Sequence, residues 1–499
     1  MKLTINEPNN RSTKYTKKNF LILLYILMFF IFKDSIKNPL YNDVYQKLKK
    51  DDFFNKDNEN CNKYDPIFLM GERFKQFPVR ICKSDESYHI CYKNSKYNNY
   101  NKIARIKNGV ICLSQNFILD PSKSVQTNYI YKGPIDKINS GAPILYKGFF
   151  NINCKNKNFF KMYNLIYNSY FQAWNYNYEK KEDIKELAPG KTIFFISRNQ
   201  DSPNLYHGIS ELINTISVMY LFNLNPEDIQ IIFLESMLLK NDPLFDLYKS
   251  IISKGGEPIY IKNLNQKYHI TSAIHIPINW DSPLFVELNI PNGYPTCRYP
   301  TQTFNILNNL INKYTSIPIF VDSFLSDNEI FYYPSSVIQN FNLNNSFKKA
   351  ITIQWRKVWP KGRKFQYRIL GNGPELADVL ASILPNNYLI RLVDTASLSI
   401  FQQISIMRKT DYLIGVHGAG LSLSIFMPLQ SVFYEILPKQ NIKVLALMSA
   451  LSGHKVYRDI IKSKLEIIND NEVYYFDPKD FSEKALKHLK ENRINNSLK

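Results

Sequence analysis

The chain lacks the short motifs that mark several common enzyme classes. Its 499 residues contain no Walker phosphate loop, no Gly-x-Ser-x-Gly elbow and no His-Glu-x-x-His. Nothing in the sequence therefore indicates a P-loop nucleotidase, an α/β-hydrolase or a zincin protease. Asp-x-Asp is also absent, and such carboxylate pairs commonly hold a divalent cation against a nucleotide diphosphate. We therefore expect any diphosphate site here to use arginine, histidine and helix ends, without a metal.

Sequence features of nucleic-acid binding are missing too, although the chain is basic. The net charge is +20 and the pI is about 9.3, but the lysines are scattered among Asn and Tyr along the whole chain. There is no arginine-rich helix, no zinc-finger spacing and no RNA-binding aromatic signature. We predict no nucleic-acid partner. A nucleic-acid-binding protein is kept as a third class, which would require a cytosolic or nuclear location.

The N-terminus carries an unbroken apolar run, residues 20–32, that is short for a membrane span. Lys33 can extend it by snorkelling, and lysines and arginines are concentrated on its N-terminal side, which keeps that side cytosolic. No small-x-small cleavage site follows. We predict a cytosolic tail (1–19), a transmembrane signal-anchor (20–33) and a stem (34–60) of a single-pass type II protein of the Golgi or endoplasmic reticulum membrane. A cleaved signal and a buried helix are the alternatives.

Only six cysteines are present, and all follow the apolar run. They are Cys61, Cys82, Cys91, Cys112, Cys154 and Cys297. None forms a Cys-x-x-Cys pair, so a zinc site is not indicated. Disulfides fit a lumenal location, but free buried cysteines fit the same spacing, and the pairing cannot be read from it.

Apolar periodicity divides the remainder into a lead-in, two α/β units and a tail. Residues 61–190 alternate short apolar runs with turn residues and predict a β-rich, cysteine-containing lead-in. Strand-like and helix-like patterns then alternate through 191–330 and again through 331–465, before a charged tail at 466–499. Such alternation predicts parallel sheets covered on both faces. We predict an α/β fold of two Rossmann-like lobes facing a cleft.

Residues 411–421 form the strongest candidate site. An apolar strand pattern runs into His417, Gly418, Ala419 and Gly420, and a short apolar, helix-like stretch follows. Ligands of open α/β sheets bind at the carboxyl ends of strands, where glycines allow close approach and helix N-termini favour anions. Arg356 ends an earlier strand pattern and Arg368 lies in the next loop, and guanidinium groups bind phosphate bidentately. The pattern predicts a diphosphate site, while a tight turn with a buried histidine and two surface arginines fits it as well.

A second candidate lies in the first α/β unit, where Asn204 precedes a helical pattern that contains His207 and Glu211. The i, i+4 spacing places imidazole and carboxylate on one helix face. Such a pair could deprotonate a hydroxyl group. A helix-capping Asn followed by a structural His–Glu contact is the alternative.

Several motifs resemble glycosyltransferase family 61, which includes N-acetylglucosaminyl- and xylosyltransferases. The 411–421 stretch, followed by Phe-Met-Pro at 426–428 and by Glu435, resembles the family signature. Three further segments resemble the family and occur in the family's order along the chain. They are the Asn-x-x-His pattern (Asn204 and His207), the strand ending at Arg356, and the Arg-x-x-x-Asn-x-x-Glu-Leu pattern (Arg368, Asn372, Glu375 and Leu376). Glu211 stands where the family has Asp, and the insert between Arg356 and Arg368 is longer than expected.

The resemblance implies a GT-B-like fold and an inverting transfer of GlcNAc or xylose from a UDP-sugar to a protein or glycan hydroxyl. It implies that Arg356, Arg368 and the 417–420 turn hold the diphosphate, that Asn372 and Glu375 order that site, and that Glu435 contacts the donor ribose or base. The first lobe would hold the acceptor near Asn204, with His207 and Glu211 as candidate base. No cofactor is implied, because the UDP-sugar is a co-substrate. A catalytically inactive relative that binds carbohydrate or protein is the alternative function.

Overall fold

Short apolar runs separated by turn residues fold into a mixed α/β structure, as the alternation predicted. The computed structural model describes residues 59–62, 64–74, 78–93, 110–124, 145–159, 170–178, 183–197, 204–234, 244–276, 284, 295–318, 330–342, 347–357, 368–437, 444–469 and 471–497. The predicted cytosolic tail and signal-anchor, and nearly all of the stem, lie outside these residues. Across the described ranges, no helix is both long enough and apolar enough to cross a membrane.

The described residues contain the following regular elements. The strands are β1 Pro78–Lys83, β2 Tyr88–Lys93, β3 Val110–Leu119, β4 Phe150–Asn151, β5 Asn156–Phe159, β6 Trp174–Asn175, β7 Thr192–Ile196, β8 Ile229–Phe233, β9 Ile259–Tyr260, β10 Tyr268–His275, β11 Phe331–Tyr332, β12 Lys349–Gln354, β13 Ile369–Leu370, β14 Tyr388–Val393, β15 Tyr412–Val416, β16 Val432–Ile436, β17 Lys455–Asp459, β18 Ser463–Ile468 and β19 Asn471–Phe476. The helices are α1 Glu59–Asn62, α2 Pro66–Phe74, α3 Leu205–Leu221, α4 Phe245–Ile251, α5 Gln302–Tyr314, α6 Ser335–Asn342, α7 Gly373–Ile383, α8 Ile400–Arg408, α9 Val444–Leu451 and α10 Pro478–Ser497.

The first sheet combines strands of the lead-in with strands of the first α/β unit. Its order is β5-β1-β2-β3-β10-β7-β8-β9, with β4 on β3 and β6 on β4. The strands β10, β7, β8 and β9 are mutually parallel, whereas β3 joins β10 antiparallel and continues into the antiparallel lead-in strands. The sheet therefore runs across the boundary that the sequence pattern placed near residue 190. Its core contains a group of packed aromatic side chains that includes Phe117, Phe150, Trp174 and Phe195.

The second sheet is the one that carries the predicted diphosphate site. Its order is β11-β14-β12-β15-β16-β17, and every pair except β11–β14 is parallel. The five parallel strands thus take the order 2-1-3-4-5 in the chain, which is a doubly wound arrangement. All residues of β14, β15 and β16 are buried, as expected for apolar strands covered on both faces.

The segment that was predicted to be a tail contains the end of β18, all of β19 and the last helix, and its strands form a third, small sheet with β13. β13, β19 and β18 pair in that order, and α10 packs against α7. Phe481 and Ala485 of α10 are fully buried. The charged residues that suggested a tail lie on a helix whose apolar side is covered by the second sheet's helices.

The six cysteines are all paired in disulfides. The pairs are Cys61–Cys297, Cys82–Cys154 and Cys91–Cys112. The first pair is reinforced nearby by Asp65, whose buried carboxylate accepts hydrogen bonds from the Thr303 backbone N–H at 2.9 Å and the Thr303 hydroxyl at 2.7 Å. The start of the described chain is therefore fixed to the beginning of α5.

Candidate active site

The carboxyl ends of β12 and β15 lie side by side at the point where the strand order of the second sheet reverses. In doubly wound sheets this reversal opens a crevice in which ligands bind. Arg356 follows β12 by two residues, and His417 follows β15 directly. The structure therefore brings these two predicted residues to one edge of the sheet, at its switch point.

The turn after β15 is built so that two side chains of the neighbouring strand can lie on its backbone. A Cβ atom on Gly418 would lie 1.7 Å from Nη1 of Arg356, and one on Gly420 would lie 2.0 Å from Nε2 of Gln354. Gln354 is itself held by a hydrogen bond from its Nε2 to the Thr395 hydroxyl, at 2.9 Å. The two glycines are thus required by close approach, and Arg356 lies directly against the turn.

The residues after the turn form a 3-10 helix, Ala419–Phe426, where the sequence predicted a helix-like piece. The N–H of Leu421 donates to the carbonyl of Gly418 at 3.0 Å, and the Ser422 hydroxyl donates to the carbonyl of Ala419 at 2.7 Å. Six apolar or hydroxyl residues from Leu421 to Phe426 are buried. The segment is therefore anchored in the core, and this anchoring fixes the turn at its start.

His417 is buried and oriented by main-chain and side-chain contacts. Its backbone N–H donates to the carbonyl of Ile436 at 2.9 Å, and its Nδ1 hydrogen-bonds to Oε1 of Glu435. The other carboxylate oxygen of Glu435 accepts a hydrogen bond from Nε of Arg458 at 2.5 Å. Both oxygens of Glu435 are thus engaged within the protein, and contact with a donor ribose or base stays a prediction.

Arg368 lies close to the same group of charges. It is half-buried, it adopts a left-handed backbone conformation with φ of +68°, and its Nε is buried with no hydrogen-bond partner among the described residues. Burial lowers the pKa of its guanidinium, and the charges of Glu472, Tyr474 and Glu435 act in the opposite direction. A non-glycine residue held in this conformation carries backbone strain of the kind that concentrates at functional sites.

Asn372 and Glu375 order the start of α7 beside these arginines. The Asn372 side chain donates from Nδ2 to the carbonyl of Phe476 at 2.8 Å and to Oε2 of Glu375 at 2.8 Å, and its Oδ1 accepts from the Phe476 N–H at 3.0 Å. The N–H of Leu370 donates to the carbonyl of Arg356 at 3.0 Å. The described segment 368–372 is therefore fixed both to β19 and to the end of β12.

The comparison with protein families identifies this region. Residues 290–434 match the family model Glycosyltransferase 61. This part of the chain is similar to that family. The match includes Arg356, Arg368 and the 417–420 turn, and it ends one residue before Glu435. A search of curated proteins found no match.

The similarity of residues 290–434 to this family supports a glycosyltransferase function, and the charged groups of the second sheet lie within or close to the matched region. Arg458 forms an ion pair with Glu435, and Arg368 interacts electrostatically with Glu435 and Glu472. Arg356 lies against the turn at Gly418. The backbone of Gly418 and Gly420 in this turn is covered by the side chains of Arg356 and Gln354.

Helix α3, which follows a strand of the first sheet, packs against the 3-10 segment Ala419–Phe426. Asn204 caps α3, since its Oδ1 accepts from the Tyr206 N–H at 3.1 Å. His207 and Glu211 are both buried on α3, with 8% and 1% of their surfaces exposed. The capping role of Asn204 is the alternative that the sequence offered, and the catalytic role of His207 and Glu211 stays a prediction.

Metal-ligand side chains come together elsewhere in the described residues, in the first sheet. His89, Cys91 and Cys112 lie within ligand distance of one another, but the two cysteines are joined in a disulfide. A disulfide has no thiolate to offer a metal. This group is therefore structural.

Sequence reasoning missed Arg458 and Gln354. The stretch Lys455–Asp459 has too many charges to predict a buried strand, and only the parallel pairing of β16 with β17 places Arg458 opposite Glu435. Gln354 could have been found, because it lies two residues before Arg356 at the carboxyl end of the same predicted strand.

Proposed function

We propose that this protein transfers a sugar, GlcNAc or xylose, from a UDP-sugar to a hydroxyl of a protein or glycan, with inversion at the anomeric carbon. The observation that carries the proposal is the contact of Arg356 with the Gly418 backbone at the switch point of the second sheet. This contact aims a guanidinium at the place where doubly wound sheets bind phosphates. The two sheets would then be the two lobes of a GT-B-like enzyme.

In the proposed reaction the acceptor oxygen forms a bond to the anomeric carbon as the bond from that carbon to the diphosphate oxygen breaks. The electron pair of the broken bond stays with the diphosphate, whose negative charge increases. Arg356, Arg368 and His417 would stabilise that charge, as preorganised donors do in other enzymes. The proton of the acceptor passes to a base, for which His207 with Glu211 remains our candidate.

The setting we propose is the lumen of the endoplasmic reticulum or Golgi, with a membrane anchor at the N-terminus. Support comes from the three disulfides, because such bonds persist in oxidising compartments. A lumenal enzyme that binds its diphosphate through arginines would need neither a cofactor nor a divalent metal.

The test uses the full-length protein in detergent with a panel of UDP-sugars, scored by release of UDP and by calorimetry. Wild type should bind UDP and release it from one donor. Arg356→Ala and His417→Ala should lower kcat/KM by about a hundredfold or more, because each removes a charge-assisted contact to the diphosphate. Arg408→Ala is the matched control, since Arg408 donates to Asn312 on α5.

Unchanged activity in Arg356→Ala would overturn the phosphate assignment. UDP binding without release or transfer from any donor would instead support the alternative, a non-catalytic relative that kept the site.

A further inference from the structure

A buried row of three ionisable side chains lies behind the proposed diphosphate site. Glu435 is fully buried between Nδ1 of His417 and Nε of Arg458, and the Arg458 side chain is 9% exposed. Removing a carboxylate from water is costly unless it is paired and hydrogen-bonded. The structure meets that requirement with one partner on each carboxylate oxygen.

Strand register explains how the three groups meet. Glu435 pairs with Gly415 of β15 on one side and with Arg458 of β17 on the other. Residues paired in this way point to the same face of a parallel sheet. Gly415 contributes no side chain to this face, and His417, two residues further along, reaches Glu435 instead. Arg458 is therefore separated from the proposed ligand by two residues, and it contacts the carboxylate that lies between them.

We propose that Arg458 is a positioning residue that holds Glu435 as a carboxylate. Glu435 then accepts a hydrogen bond from Nδ1–H of His417, which fixes the ring and leaves Nε2 for the donor diphosphate. This inference rests on the proposed function for the identity of the ligand. A neutral imidazole has one N–H donor and one acceptor nitrogen, and the hydrogen bond at one nitrogen decides the state of the other. A carboxylate at Nδ1 keeps a proton there, and Nε2 can then take a second proton and donate it to a phosphate oxygen.

A positioning role and a purely structural role for Arg458 predict different positions for one proton of the His417 ring. With Arg458 removed, Glu435 would keep its burial but lose its second partner. Loss of a cation partner shifts a buried carboxyl group towards its protonated form, and a protonated Glu435 would donate to Nδ1. The His417 proton would then move from Nδ1 to Nε2. An arginine that only stabilised the fold would leave that proton in place.

The first experiment follows this proton directly, without any donor. Nitrogen-15 NMR of histidine-labelled full-length protein is practical because the chain has only seven histidines, and His417→Gln assigns the signal. Wild type and Arg458→Lys should show Nδ1 protonated, whereas Arg458→Met should show Nδ1 deprotonated. Arg408→Met should match wild type. An unprotonated Nδ1 in wild type, or an unchanged signal in Arg458→Met, would overturn the proposal.

The second experiment measures coupling to ligand affinity by a double-mutant cycle. Arg458→Met should weaken UDP binding by about ten- to a hundredfold, as loss of an outer-shell partner commonly does, and Arg458→Lys should weaken it less. In a His417→Ala background the same substitution should change affinity by less than about twofold. Equal losses in both backgrounds would show that Arg458 does not act through His417. If wild type bound no UDP, the proposed function would fail, whereas the NMR result would still decide the role of Arg458.

Discussion

Gly418 has an extended backbone, with φ of 178°, which any residue can adopt. Backbone conformation therefore does not explain why this residue is glycine. The explanation is the side chain of Arg356, whose guanidinium occupies the space that a Cβ would take. Gly420 has the same relation to Gln354. At the scale of single residues, the proposed site is formed where side chains of β12 rest on the bare backbone that follows β15.

Gly418→Ala should therefore displace Arg356 without removing any charge. The new Cβ would lie 1.7 Å from Nη1, so the guanidinium must move. Loss of one charge-assisted hydrogen bond costs about 2 kcal/mol, which corresponds to about a 30-fold weaker UDP affinity by calorimetry. Gly418→Ala should add little to Arg356→Ala, because both act on one contact. Full additivity of the two effects would contradict this account.

Residue patterns predicted part of this site and could not predict the rest. Arg356 and His417 were found because each follows an apolar strand, and strand ends in a parallel sheet share one edge. Arg458 was not found, because its importance depends on the register between β16 and β17, which brings together residues that are 23 positions apart in the chain. Glu435 was found through the family resemblance, but its partners could not be identified without that register.

At the scale of elements, the end of α8 is fixed by a buried arginine of the sheet. Arg391 on β14 has no exposed surface, and its guanidinium donates to the Thr352 and Thr410 hydroxyls and to the carbonyls of Ile406 and Lys409. The last carbonyls of a helix carry partial negative charge, which favours a cation there. This single side chain therefore joins two parallel strands to the helix that precedes β15.

Arg391→Met should lower the free energy of unfolding by about 2–4 kcal/mol, because it leaves buried acceptors unpaired. The measurement is the midpoint of urea unfolding, with Arg408→Met, at a half-buried arginine of helix α8, as the control. Activity per folded molecule should be preserved, since Arg391 does not reach the switch point. A loss of stability no greater than that of Arg408→Met would argue against this role.

The elements themselves were predicted well wherever apolar periodicity was strong. The strand and helix patterns predicted to alternate through 191–330 and 331–465 correspond to regular elements such as α3, α5 and β14. The residues after 465 were not recognised as a strand pair and a helix, because α10 buries only a narrow apolar stripe, including Phe481 and Ala485, among many charges. Such a stripe can be recognised as the buried side of a helix only when the surface that it covers is known.

For the whole molecule, the Cys61–Cys297 disulfide closes the longest loop in the described structure, with a sequence separation of 236. In the chain-entropy view a cross-link stabilises more as the loop it closes grows longer. Replacing both cysteines by serine should lower the free energy of unfolding by about 3–5 kcal/mol. The matched comparison is the Cys91–Cys112 pair, whose separation is only 21.

The denaturation midpoint of each double variant would measure the two effects. We expect the long-range pair to contribute more, and Asp65 beside it should retain its contacts with Thr303. An equal or larger loss on removal of Cys91–Cys112 would show that local packing of the first sheet outweighs loop length.

Acid should destabilise the whole molecule through His454, a buried residue that connects α9 to the end of the 3-10 segment. Its Nδ1 lies 3.1 Å from the Ser449 hydroxyl and its Nε2 lies 3.4 Å from the carbonyl of Met427. A neutral ring satisfies both contacts, with Nε2–H as donor and Nδ1 as acceptor. Burial lowers the pKa of His454 to about 4, from 6.5. The folded state therefore favours the neutral ring.

The sign of the pH effect follows from where the proton binds. Above pH 6.5 the ring is neutral in both the folded and the unfolded state, so His454 carries no penalty. Between pH 6.5 and 4 the unfolded state binds a proton that the folded state excludes, and stability must fall as pH falls. A shift of this size corresponds to about 3 kcal/mol. The free energy of unfolding of wild type, relative to that of His454→Gln, should be constant above pH 7 and fall steadily between pH 6.5 and 4. If the two proteins showed parallel pH profiles through this range, His454 would not be the group responsible, and the buried His275, whose pKa burial also lowers, would be the next to replace.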